Sequence, residues 1–207
     1  MRIFLKDLGK RFINQWIFKD MNFQVVQGVP LAITGPNGSG KSTLLKIISG
    51  WMLPSKGSVS YQSDGEKIPP DEFYKYLDYV APYIELVEEL TLAEFIDFHF
   101  GYKRFQPDLT VNEFFERINL ENEKNKLLRY FSSGMKQRLK LGLGFFSRSP
   151  VLLIDEPTTN LDEKAKSWYL EHIAKQVHNK LIIIASNEKE DISFIKNVIS
   201  IADFTHV

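Results

Sequence analysis

The sequence predicts an α/β fold with a mainly parallel sheet, an antiparallel β subdomain at the N-terminus and a helical subdomain insert. Three observations carry this. Buried apolar runs alternate with helical stretches over the last third of the chain. A glycine-rich turn joins an apolar run directly to a helix within residues 30–45. A further apolar run, Val151 to Ile154, ends in two carboxylates, Asp155 and Glu156.

In chain order, Arg2 to Leu8 and Met21 to Val26 alternate polar with apolar residues and read as two strands of a hairpin. Phe12 and Trp16 lie in the polar connection between them. Such an aromatic either packs on the sheet or stacks on a nucleobase, a contact of ~1–3 kcal/mol. Phe12 is the candidate plate and Trp16 the alternate. Next comes Gly35-Pro36-Asn37-Gly38-Ser39-Gly40-Lys41-Ser42-Thr43, which meets G-x-x-x-x-G-K-[ST] between a strand and a helix. Glycines let successive N–H groups curl around phosphate oxygens, and the helix dipole points at the same anion. Lys41 is expected at the β/γ-phosphates and the Ser42 hydroxyl on Mg²⁺.

Residues 50–57 are turn-rich, and Ser58 to Gln62 resumes strand alternation. Pro69-Pro70-Asp71 opens a short aromatic helix through Leu77, followed by a strand near Tyr79 to Ala81. Thr91-Leu92-Ala93-Glu94 and Thr110-Val111-Asn112-Glu113 are capping boxes, so residues 91 to about 128 read as helical. Most of that insert's aromatics should be core, with a minority left as a docking face. Lys164 to Val177 reads as a helix. Leu181 to Ala185 and Val198 to Ala202 read as strands.

Bulk properties narrow the function. The 207 residues are 43% hydrophobic, enough for a substantial core, and 26 basic residues balance 26 acidic ones. Nothing in that balance pulls toward nucleic acid. Absence of cysteine excludes disulfides, thiolate metal sites and iron–sulfur clusters. The four histidines, His99, His172, His178 and His206, show no metal-ligand rhythm. No apolar run approaches the ~20 residues that span a bilayer, and the short apolar start is no secretory signal. A soluble chain is expected.

Ligands of a parallel sheet gather at the carboxyl ends of its strands. Asp155 and Glu156 therefore fall beside the phosphate loop if their strand lies close to it. Asp155 suits a Mg²⁺ ligand, and Glu156 a general base for the attacking water. Upstream, Phe131-Ser132-Ser133-Gly134-Met135 precedes a helix through about Phe146. Ser132 or Ser133 could be an N-cap. Together with Gly134 and the helix N-terminus, it could also form a second anion site. Two anion sites with one nucleotide loop suggest that one protomer completes its twin's pocket. Lys136, Arg138, Lys140 and Arg148 read as a solvated basic face.

These motifs, with Pro157-Thr158 and Thr159-Asn160-Leu161-Asp162, resemble an ABC-type ATPase, in particular the nucleotide-binding subunit of an ABC transporter. Their order matches, and they cover nearly the whole chain. The resemblance implies a P-loop NTPase core, with residues 1–207 forming one ABC ATPase domain. About 1–90 and 148–207 would be the ATP-binding core and about 91–147 the helical subdomain. It implies ATP and Mg²⁺ as cofactors, and a head-to-tail homodimer or heterodimer of ATPase subunits. Two ATPs would be held between phosphate loop and opposing Ser132 and Gly134, with Asp162 crossing the interface. It implies a separate transmembrane permease, touched by the aromatic insert and by the loop around Pro82 to Leu86. The subunit would be cytoplasmic, peripheral to the inner face of the cell membrane, with no nucleic-acid partner. A soluble non-transport ABC ATPase is the alternative.

Three departures stand out. The signature reads Phe131-Ser132-Ser133-Gly134-Met135 where the family usually has Leu-Ser-Gly-Gly-Gln. No glutamine occurs near Ala81-Pro82, where Glu85 is the nearest side-chain oxygen and a weak substitute. The family's switch histidine is Asn187, which either only caps a following helix in a box with Glu190 or caps it and also contacts the γ-phosphate. Slow hydrolysis is expected, with Glu156, Lys41 and Asn187 as catalytic residues.

Overall fold

The hairpin is longer than its alternation suggests. In the computed structural model, which describes residues 1–107 and 109–205, β1 (Arg2–Phe12) pairs antiparallel with β2 (Gln15–Val26). Register shifts between Leu5 and Arg11 absorb the break in alternation at Asp7, whose φ is 48°. Phe12 and Trp16 therefore sit on strand ends rather than in a loop. After β3 (Leu31–Thr34) and α1 (Lys41–Ile48), β4 (Lys56–Ser63) and the short β5 (Glu66–Ile68) complete this sheet in the order β2-β1-β4-β5.

The second sheet is wholly parallel. It contains β6 (Leu77–Val80), β7 (Val151–Asp155), β8 (Leu181–Ala185) and β9 (Asn197–Ser200), in the order β6-β7-β8-β3-β9. The inner strands β7, β8 and β3 are almost wholly apolar because both faces are covered, whereas the edge strand β9 is partly exposed. Ile33, Leu153 and Ile183 pack toward α1 and the antiparallel sheet, in one cluster with Ile3, Leu8 and Phe18. Ala32, Leu152, Ile154, Ile182 and Ile184 belong to the opposite cluster. Covering that face are α4 (Ser133–Phe146) and α5 (Glu163–Gln176), through Leu139, Phe145, Tyr169 and Ile173. The approach of α4 is close: a Cβ on Gly144 would lie 2.6 Å from Leu152 Cδ1 and 3.1 Å from Val80 Cγ2.

Both capping boxes form. Thr91 opens α2 (Leu92–Tyr102) and Thr110 opens α3 (Val111–Arg117), each exchanging bonds with its N3 glutamate. The expectation that residues 91 to about 128 are helical holds only in part, however. Between α2 and α3 the Lys103 ammonium bonds Asp78 Oδ1 at 2.8 Å, and the Gln106 amide bonds Phe145 O at 2.8 Å. Asn119, at φ 53°, lies just past the end of α3, and only 3₁₀ turns come after it, at Glu121–Glu123 and Leu128–Tyr130. The segment opened by Pro70 is likewise a 3₁₀ run, Pro70–Tyr76. Phe95, Phe114 and Phe115 are buried, while Phe98 and Tyr102, one turn apart on α2, are exposed. Among the described residues no helix is long and apolar enough to cross a membrane.

Candidate functional site

The phosphate loop takes its shape from glycine backbone. Gly35, Gly38 and Gly40 have φ of 146°, 78° and 106°, values that side chains other than hydrogen resist. Gly40 is also the N-cap of α1 and offers no capping side chain, so the first N–H groups of that helix stay available to an anion. Lys41, 5% exposed, turns back over this loop. Its ammonium donates to Gly35 O at 2.8 Å, Pro36 O at 3.3 Å and Asn187 Oδ1 at 3.2 Å, and lies 3.4 Å from Glu156 Oε1. Asn187 Nδ2 in turn donates to Asn37 Oδ1 at 2.6 Å. One cation thus gathers the loop, Asn187 and Glu156.

This gathering crosses the sheet. β8 stands between β7 and β3, so Asp155 and Glu156 are one strand removed from the loop strand. Glu156 leaves β7 at φ 46° with its N–H donating to Ala185 O at 2.8 Å, a left-handed backbone costing on the order of 1 kcal/mol. That bend lets its carboxylate reach Lys41. Burial raises the Glu156 pKa; Lys41 opposes the rise, and Asp155 and Asp191 add to it.

Asp155 is 1% exposed. Its Oδ2 accepts from the Tyr83 hydroxyl at 3.0 Å, and its Oδ1 is buried without a partner. A buried acceptor left unmet is costly, so this oxygen fits a cation or the water of one. Ser42 lines the cleft on the loop side. Among the described residues no group of three or more His, Asp or Glu side chains could hold a metal ion by itself. A carboxylate oxygen and a hydroxyl are donors of the kind that a hard ion such as Mg²⁺ takes beside substrate oxygens.

Phe12, Ile17, Asn37, Gly38, Gly40–Thr43 and Glu156 line one cleft of 380 Å³. The alternate aromatic, Trp16, is not among them; its ring lies under the Arg11 guanidinium at 5.6 Å. Ser132, Gly134 and Asp162 open elsewhere, on a cleft of 420 Å³ that shares no residue with the first. Ser132 Oγ accepts from Met135 N–H at 3.2 Å and caps α4, while Asp162 Oδ1 accepts from Ala165 N–H at 2.8 Å and caps α5.

Several expectations are corrected. Asn187 caps no helix: the next element is a 3₁₀ turn, Glu190–Ile192, and Ser186 Oγ rather than Asn187 accepts the Glu188 N–H. Glu85 does not stand in for the missing glutamine; it lines a separate groove with His99 and Lys140. The side chain that reaches Asp155 from this segment is the Tyr83 phenol rather than an amide or carboxylate. Tyr79 OH lies 2.7 Å behind it. Burial pushes the Tyr83 phenol up to about 12 and that of Tyr79 higher still. Lys140 is not solvated but buried, donating to Ala81 O, Pro82 O and Ile84 O at 2.8–3.3 Å. Lys136 pairs with Glu88, and Arg148 Nε donates to Phe105 O. His172 packs among Phe145, Phe146 and Trp168. His206 lies outside the described residues.

The family model described as ABC transporter matches residues 18–159. The chain belongs to the ABC transporter family. Among its relatives, the Bacillus subtilis protein named uncharacterized ABC transporter ATP-binding protein YybJ is 29% identical over 188 residues, 90% of this chain and 85% of that one. The putative hemin import ATP-binding protein HrtA of Staphylococcus aureus (strain Newman) is 27% identical over 96% of this chain and 94% of its own. A solved structure titled as the ATP binding subunit of an ABC transporter superposes with a TM-score of 0.82 at 26% identity, covering 97% of this chain and 85% of that one. The fold is that of an ABC ATPase, and the chain is a transporter-type ATP-hydrolysing subunit.

Proposed function

We propose that two ATPase subunits, either two copies of this chain or one copy with a close relative, close head to tail on Mg²⁺-ATP. Closure would drive a separate membrane permease from its cytoplasmic face. The observation behind this reading is the split between the two clefts. Lys41, Asn187 and Glu156 meet around the phosphate loop, whereas Ser132 and Gly134 sit at a helix N-terminus in a cleft of their own. A second subunit bringing that turn over the loop would supply the missing side of the phosphate. Asp162 would lie at the seam.

In this site Phe12 stacks on the base, and the N–H groups of residues 35–43 cradle the phosphates. Lys41 exchanges its loop carbonyls for phosphate oxygens. Ser42 and Asp155 hold Mg²⁺, which when bound offsets negative charge on the phosphates. The Glu156 carboxylate takes a proton from water as the water oxygen bonds to the γ-phosphorus and the bond to the ADP oxygen breaks. Asn187 Nδ2 donates to the γ-phosphate in place of a histidine. Losing one preorganised donor costs ~10²–10³ in rate, and an amide N–H recovers part of that, so turnover is slow but present. The permease would meet the exposed Phe98 and Tyr102 and the loop from Pro82 to Leu86 that Lys140 holds.

The test is steady-state turnover with nucleotide binding measured alongside. Glu156→Gln is expected to lower turnover by ~10²–10³ while retaining Mg²⁺-ATP affinity. Unchanged turnover in this variant would remove Glu156 from the role of base.

A further inference from the structure

Tyr83 is tied to the nucleotide side by its hydroxyl and by its ring. Its hydroxyl donates to Asp155 Oδ2 at 3.0 Å, and Tyr79 OH lies within 2.7 Å on the other side. Its ring lies 4.5 Å from the ammonium of Lys46, a residue of α1, the helix that the phosphate loop opens. The backbone just before it, Ala81 O and Pro82 O, is fixed by Lys140 on α4. The phenol is thus placed from three directions. The group it touches is the buried carboxylate whose other oxygen has no partner.

A carboxylate held by one hydrogen bond cannot rotate freely about its last torsion. With Oδ2 tied to Tyr83, Oδ1 is the oxygen left for an ion or its water. Residues that orient a metal ligand through the atom not used on the metal typically account for 10- to 100-fold of its affinity. We propose that Tyr83 is the positioning residue of the Mg²⁺ site, fixing Asp155 so that one oxygen is presented to the ion. This role rests on the assignment of Asp155 as a Mg²⁺ ligand in the proposed function. It also couples the ion to the 81–84 backbone that Lys140 grips, because any change in the Asp155 carboxylate is felt at a residue of that segment.

The probe is a fluorescent ATP analogue, titrated with and without Mg²⁺ on the whole chain, with Mn²⁺ binding followed by electron paramagnetic resonance. Tyr83→Phe keeps the ring over Lys46 and removes only the hydroxyl. It is expected to weaken Mg²⁺ enhancement of nucleotide binding, and Mn²⁺ affinity in the nucleotide complex, by about 10- to 100-fold, leaving Mg²⁺-free nucleotide binding as in the wild type. Tyr79→Phe, which leaves the bond to Asp155 in place, is expected to stay near wild type. Metal dependence unchanged in Tyr83→Phe overturns the proposal. So does an equal loss of Mg²⁺-free binding, or a Tyr79→Phe variant as impaired as Tyr83→Phe. A wild-type chain that binds nucleotide without any response to Mg²⁺ would remove the proposed metal site, and this inference with it; a normal wild type beside an unaffected Tyr83→Phe would remove the inference alone.

Discussion

Glu156 is held between two opposing influences, and its protonation sets when it can act. Burial favours the neutral acid, and Lys41 at 3.4 Å favours the carboxylate; the balance lies above the ordinary glutamate value of 4.5. A general base is inactive once protonated, so activity is lost as pH falls through the raised value and is complete above it. Phosphate charge beside it would push in the same direction. The acid limb of kcat/KM against pH is therefore expected to have its midpoint above 4.5; a limb at or below that value would mean that another group is the base. At this scale the sequence was readable wherever a residue type and its spacing define local backbone chemistry. The loop glycines, Lys41, Ser42 and the Asp155-Glu156 pair all lie as their motifs suggest. Residues defined by distant neighbours were not. Nothing near Tyr83 in the chain points to a carboxylate 72 positions away, and only the folded structure reveals that Lys140 is buried against three carbonyls.

Among the elements, α4 does two jobs at its two ends. Its N-terminus carries Ser132 and Gly134, while its C-terminal turns press glycine directly onto β6 and β7. Gly144→Ala puts a methyl group 2.6 Å from Leu152 Cδ1 and 3.1 Å from Val80 Cγ2, so two buried side chains must shift together. Overpacking of this kind costs ~1–3 kcal/mol and outweighs the roughly 1 kcal/mol that alanine gains over glycine in a helix. A fall in urea midpoint at unchanged slope is the expected result; equal or higher stability would show that the helix can stand off from the sheet. Most strands and both capping boxes were legible because alternation, buried apolar runs and S/T-x-x-E patterns are local. The short β5 was not, and the last strand stops at Ser200, where a 3₁₀ turn, Ile201–Phe204, begins in place of the expected run to Ala202. The breaks in the 91–128 insert were not, since Lys103 and Gln106 leave helical geometry to satisfy Asp78 and Phe145 O from other parts of the chain. The Asn187-Glu190 pair had the spacing of a cap, but Lys41 and Asn37 claim that amide instead.

For the whole molecule, the separation of the two clefts carries most weight. A chain that closed on ATP alone would need its signature turn to reach its own phosphate loop, yet the cleft holding Ser132 and Gly134 has no residue in common with the one holding Lys41. Slowing the chemistry should therefore trap a pair. Sedimentation velocity of Glu156→Gln, saturated with ATP and Mg²⁺ at high protein concentration, measures this most directly. The expected result is a two-subunit species that disappears when nucleotide is withdrawn; sedimentation as single copies under nucleotide saturation would contradict a site shared between subunits.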